Sequence, residues 1–139
     1  MKFIYRLLSI PNWVKALRNI RKDNYVQALY YLNNIKPTIM NHNYEYIILR
    51  AFSYMATNKY ENAIIDCAHA FINIKNSKKL TKDEYVYLKK YIFFILCSSH
   101  KMKKDYNIKE CFEKYNSLTY CEDNISSRIL KLFPQPKRS

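Results

Sequence analysis

A metal centre or an acid–base pair would most readily be built from the three histidines, four cysteines and eleven acidic residues of this chain. Their spacing argues against both. His42, His69 and His100 never stand four apart, and Cys67, Cys97, Cys111 and Cys121 contain no CxxC pair. Cys67 and His69 would point to different sides of one helix, so they cannot chelate a single ion from it. The acidic pairs on offer, Asp105 with Glu110, Glu110 with Glu113 and Glu122 with Asp123, read as solvated helix faces and ends rather than as paired catalytic carboxylates. Cys97, Ser98, Ser99 and His100 suggest a nucleophile with its base, yet helical neighbours diverge, and they read as core and helix end. No catalytic residue, metal or cofactor is therefore expected, and the chain is not read as an enzyme. The sequence contains no glycine, which argues against phosphate-cradling loops and dinucleotide fingerprints.

Cys67 and Cys97 lie in apolar runs, where a free thiol behaves as a small hydrophobe. A reducing, cytoplasmic or other intracellular compartment fits this usage. Cys111 and Cys121 would pair only in an oxidising one.

Lys and Arg number 24 against 11 Asp and Glu, a formal charge of +13 that steers the protein towards acidic partners. Part of that excess matches the Lys-, Asn-, Ile- and Tyr-rich composition of an AT-rich gene. The cations cluster as Arg18, Arg21 and Lys22; Lys75, Lys78, Lys79 and Lys82; Lys101, Lys103 and Lys104; and Lys131, Lys137 and Arg138. If the first three clusters fell on one side, they would form a stripe for phosphates, with exposed tyrosines for base stacking. The plainer alternative is a solvated lysine-rich surface.

The elements that must position these groups are helices. Residues 2–9 form a leading helix expected to end before Pro11. Asn12 then caps a helix to Lys22 with Trp13, Ala16, Leu17 and Ile20 on one face. A helix from Tyr25 to about Ile35 follows, closed by Pro37. A second hairpin starts near Asn43, turns at Thr57–Lys59 and returns through Ala63, Cys67, Ala70 and Phe71. Thr81 and Glu84 have capping-box spacing and open a long helix, apolar nearly all round from Tyr91 to Cys97, that belongs in the middle of the stack. A shorter helix covers 106–116, and Asp123 caps a last one through Ile125, Ile129, Leu130 and Leu132. The expected fold is all-α, stacked antiparallel hairpins of about six to seven helices, one domain over 1–133 with a frayed basic tail at 134–139. The longest apolar run is too short to span a membrane.

The two hairpins are copies. Trp13, Ala16, Leu17, Ile20, Tyr25, Ala28 and Leu29 return 35 positions later as Ile48, Ala51, Phe52, Met55, Tyr60, Ala63 and Ile64. A third KDY turn, Lys104–Tyr106, comes 11 residues late, a surplus assigned to the polar stretch 73–82. The small residues at 16, 51, 28, 63 and 70 and the tyrosines at 25 and 60 resemble the tetratricopeptide repeat. This chain departs from that pattern in its 35-residue period, in alanine for the consensus glycine, and in its displaced or missing repeat-closing proline. The resemblance covers about residues 11–72 and fits 84–116 poorly.

The resemblance implies a concave groove lined by Trp13, Leu17, Ile20, Ile48, Phe52 and Met55, with Arg21, Lys22 and Lys59 at its rim. So apolar a groove must be covered, either by a partner or by the chain's own terminal helix, and the small core of so short a stack favours the latter. The leading functional expectation is a non-catalytic interaction module, an adaptor, binding an acidic or amphipathic protein or peptide. A homodimer is a further arrangement compatible with it. The alternatives are RNA or single-stranded DNA binding through Arg18, Lys75, Lys78, Lys79, Lys82, Lys101, Lys103 and Lys104, and an inhibitor that caps a toxin or enzyme.

Overall fold

The computed structural model describes residues 2–104 and 108–135, with the backbone alone for 2–9. Among these residues the chain is all-helical: α1 (Lys2–Arg21), α2 (Tyr25–Asn33), α3 (Pro37–Met40), α4 (Tyr44–Ala56), α5 (Tyr60–Asn76), α6 (Lys82–Lys103), α7 (Ile108–Ser117) and α8 (Ser127–Leu132), with a 3-10 turn at Glu122–Asn124. α1 packs on α2, α4 on α5, α5 on α6 and α6 on α7, while α2 joins the first hairpin to α4.

Alanine sets the spacing of the stack. Ala16, Ala28, Ala51, Ala63 and Ala70 are all fully buried, because a methyl is the largest group that fits where the helix backbones meet. Around them Ile20, Leu32, Ile47, Ile48, Leu49, Cys67, Leu88, Ile92 and Ile95 form one core with residues from both ends of the described chain.

The two hairpin turns are built alike, without glycine. α1 ends where Asp23 takes a left-handed conformation (φ 57°), and α4 ends 35 residues later at Asn58 (φ 65°). In the first turn the Asp23 and Asn24 amides donate to the Ile20 and Asn19 carbonyls; in the second, those of Asn58 and Lys59 donate to Met55 and Tyr54. This pair of bonds is the Schellman motif, which satisfies the last carbonyls of a helix. Each turn is also tied by a tyrosine two residues on. The Tyr25 hydroxyl donates to Asp23 (3.1 Å), and that of Tyr60 to Asn58 (2.7 Å). The third left-handed residue is Lys104 (φ 61°) at the end of α6. It stands in the same place relative to the third KDY, of which Asp105 and Tyr106 lie outside the described residues.

Several sequence expectations change. α1 runs through Pro11 as one helix, so Asn12 is interior to it rather than a cap. The proline removes one helical hydrogen bond, but its φ is compatible with the helix, and the restriction on the residue before it is a bias only. α2 ends at Asn33, and Pro37 opens the unexpected one-turn helix α3, where a missing N–H costs nothing. Asp123 sits in the 3-10 turn, and Ser126 caps α8 by accepting the Ile129 amide. The surplus before the third turn lies mainly in α6 itself. Its left-handed residue comes 22 positions after the helix start, against 14 in α4. The cap expectation at Thr81 with Glu84 matches the structure as a complete capping box, and the hairpin expected to start near Asn43 does so with the Asn43 side chain capping α4.

The cysteines are a further correction. Cys97 on α6 and Cys111 on α7 form a disulfide, with Cα atoms 5.7 Å apart. Cys67 is a buried free thiol and Cys121 an exposed one. Spacing alone could not indicate this pairing, because it depends on α7 packing against α6. Cys111 is the one buried residue of α7, so the bond pins a helix that contributes little apolar surface.

Two measurements test these features. Asn58→Ala is expected to cost about 1 kcal/mol in urea unfolding, and Lys104→Gly to gain roughly 0.5–1 kcal/mol, because only glycine escapes the left-handed penalty. Under denaturing, non-reducing conditions the air-oxidised protein is expected to show two reactive thiols, Cys67 and Cys121, rather than four.

Candidate functional site

An apolar cleft of about 750 Å³ lies between the ends of α1 and α4 and the chain that follows α8. Leu17, Ile20, Tyr25, Phe52, Met55, Phe94, Leu132 and Phe133 give it walls; Arg21, Asp23, Lys131 and Gln135 are its polar members. Burial lifts the Tyr25 pKa to about 12, helped by its hydrogen bond to Asp23. The phenol is therefore a neutral donor at any physiological pH. Tyr91, deeper behind Phe52 and Phe133, is raised well above its ordinary value by burial.

The C-terminal segment is what shapes this cleft. Ile125, Ile129 and Phe133 are buried in the same core as the first hairpins. Phe133 packs on Tyr91 with ring centroids 5.2 Å apart, and the Tyr91 hydroxyl donates to the Pro134 carbonyl. Three carboxylates at the starts of α4 and α6 fix the segment's register. Arg128 donates to both oxygens of Glu45 (2.6 and 2.8 Å). Glu84 accepts the Ser126 amide (3.0 Å), and Asp83 accepts the Asn124 side chain (2.7 Å) and the Cys121 amide (3.3 Å). Burying three large apolar side chains contributes roughly 2 kcal/mol each, more than exposed polar contacts supply. Apolar burial thus holds the segment, and the carboxylates align it. The tail expected to fray from 134 is anchored at Pro134 and, through Gln135, to Tyr87 and Leu130; residues 136–139, including Lys137 and Arg138, lie outside the described ones.

Of the expected groove residues, Leu17, Ile20, Phe52, Met55 and Arg21 line the cleft together. Four do not belong to it. Ile48 is fully buried, because the face of α4 it occupies is covered on all sides, and no partner can reach it. Trp13 is turned onto Tyr46, ring centroids 4.3 Å apart. Lys22 is exposed outside the cleft lining, and Lys59 lines a separate shallow hollow with Tyr54, Tyr60 and Lys103. Sequence reasoning missed Tyr25, Phe94, Lys131 and Phe133. The spacing of Ile125, Ile129 and Phe133 in fours was the available signal for the last.

The cations do not form one stripe. Lys103 reaches Glu61 at the start of α5 (3.1 Å), so the end of α6 lies beside the α4–α5 turn. Lys101 and Lys104 share that end of the stack, whereas Lys75, Lys78, Lys79 and Lys82 flank the α5–α6 connection at the other. Arg18 is exposed on α1. Among the described residues, Tyr31 with Lys15, Tyr54 with Arg50, Tyr85 with Lys89 and Tyr115 with Lys90 each carry a cation of the chain itself over the ring. Arg50 also makes a bidentate pair with the buried Asp66 (2.8 Å to each oxygen), which ties α4 to α5.

No family model, curated protein or solved structure matches the chain. Among the described residues, no group of three or more His, Cys, Asp or Glu is placed to hold a metal ion, and no helix is long and apolar enough to cross a membrane.

The anchoring carboxylates set a pH dependence. Asp83 and Glu84 are held below their ordinary pKa, first by the hydrogen bonds from Asn124 and the Ser126 amide respectively. A depressed folded pKa contributes stability above the unfolded value and loses it as pH falls through the folded one. Acidification through and below the ordinary carboxylate range is therefore expected to deprotect the amides of 121–128 before those of 129–133, as read by hydrogen exchange. Glu84→Gln should show the same loosening already at neutral pH.

Proposed function

We propose that the protein is a non-catalytic interaction module, with the two hairpins as degenerate tetratricopeptide-type repeats, and that it docks a segment of a partner protein in the cleft between α1, α4 and the C-terminal segment. The observation that carries this reading is the cleft itself. Four residues spaced for a groove, Leu17, Ile20, Phe52 and Met55, line one cavity with Tyr25, Phe94 and Phe133. Its volume lies in the range of binding sites, and its apolar walls with few polar groups match their composition. The described chain leaves it uncovered although its own C-terminal segment fills the adjoining part of the groove. Apolar burial in such a site supplies affinity, while charges at the rim speed encounter and fix orientation.

The alternative of nucleic-acid binding has less support, since its lysines divide between opposite ends of the stack and several tyrosines are engaged by the chain's own cations. The inhibitor reading uses the same cleft and differs only in what the partner is.

Phe52 is too deeply buried for a clean test, so Met55 is the residue to change. Met55→Glu places a carboxylate on the cleft wall at a half-buried position. Peptides selected on the wild-type protein from a displayed library are expected to lose at least tenfold in affinity for this variant, with its helical circular dichroism and cooperative unfolding kept. A library that yields no binder, or binders indifferent to Met55→Glu, would end the reading.

A further inference from the structure

The chemistry of the cleft narrows its occupant, on the premise that the cleft is the docking site. Its lips carry Arg21 from the end of α1 and Lys131 from α8, both exposed. Neither has an ion-pair partner among the described residues, although Arg50, Lys103 and Arg128 are each matched to a carboxylate. The one acidic residue of the lining, Asp23, is already engaged by the Tyr25 hydroxyl. Two exposed, unpaired cations thus join the otherwise apolar lining.

The walls restrict the occupant's backbone as well. All of them are helices or the tail anchored to Tyr91 and Tyr87, so the cleft offers no sheet edge to pair with an extended strand. A ligand that buries backbone in an apolar cleft must satisfy its own N–H and C=O groups, and a helix does so internally. In the adjoining part of the groove the short helix α8 places Ile129 in the core, flanked by Ile125 and Phe133 in extended backbone just outside its two ends.

We propose that the cleft takes an amphipathic helix of a partner protein whose apolar stripe is bordered on both sides by Asp or Glu, one flank facing Arg21 and the other Lys131. The apolar stripe packs on Leu17, Phe52, Met55 and Phe133. The flanking carboxylates set the helix's orientation and exclude partners with basic flanks.

The test uses the full chain and two fluorescent synthetic helices of about four turns, with an identical leucine stripe and either glutamate or lysine on both flanks. Fluorescence polarisation at low salt is expected to show the glutamate helix binding roughly tenfold tighter, a margin that shrinks as salt rises. The double variant Arg21→Glu, Lys131→Glu should reverse the preference, and Lys79→Glu, at the far end of the stack, should leave it unchanged. Equal binding of the two helices, or a preference indifferent to the double variant, overturns the acidic-helix proposal while leaving the cleft reading intact. Binding of the glutamate helix that survives Met55→Glu places it elsewhere and also overturns the proposal. If neither helix binds, the acidic-helix proposal is overturned, and the peptide library alone decides the cleft reading. A single-stranded oligouridine that displaces the glutamate helix and itself depends on Arg21 and Lys131 would mean that the lips recognise phosphate, against the proposal.

Discussion

Close approach of helix backbones at five buried alanines is the constraint from which the stack follows, because it fixes the distance at which α1 meets α2 and α4 meets α5. That closeness requires each first helix to stop abruptly and reverse. A chain without glycine achieves this with Asp23 and Asn58, whose short polar side chains tolerate the left-handed conformation and accept a hydrogen bond from the following tyrosine. The reversal and the alanine contact are thus one device used twice, at an interval of 35 residues. Lys104 performs the reversal after α6 with a less suited side chain.

Two parallel first helices leave an apolar concave side, and the chain covers only part of it. The C-terminal segment enters with Ile125, Ile129 and Phe133, aligned by Glu45, Asp83 and Glu84. These three carboxylates, in a chain of net charge +13, are spent on internal architecture, as are Asp66 and Glu61. None of these five carboxylates lines the open cleft, whose charged members are Arg21, Lys131 and Asp23. Its electrostatic character therefore follows partly from where the acids went, not only from where the lysines are.

The site also shows how a single position can change meaning between copies of a repeat. Trp13 and Ile48 are equivalent in register, yet Trp13 is half-buried against Tyr46 and Ile48 is sealed within the core. The first helix of the second hairpin, α4, packs against α2, α5 and α6, whereas α1 packs chiefly against α2. Leu17 with Phe52, and Ile20 with Met55, escape this asymmetry because they lie near the helix ends, where the cleft begins.

The sequence by itself determined the helices, their pairing into hairpins, the small residues at the crossings and the capping of α6, because these depend on spacing within a dozen or so neighbouring residues. It also indicated four of the cleft's apolar residues and one of its cations. The continuity of α1 through Pro11 and the cap of α8 were misread, since a local bias yields to the packing of the residues beyond it. Only the tertiary structure decided that Cys97 meets Cys111, that the lysine clusters divide between two ends, and that Phe94, Lys131 and Phe133 close the cleft. Those outcomes depend on contacts between residues far apart in the chain, and no periodicity carries information about which distant side chains a folded backbone brings face to face.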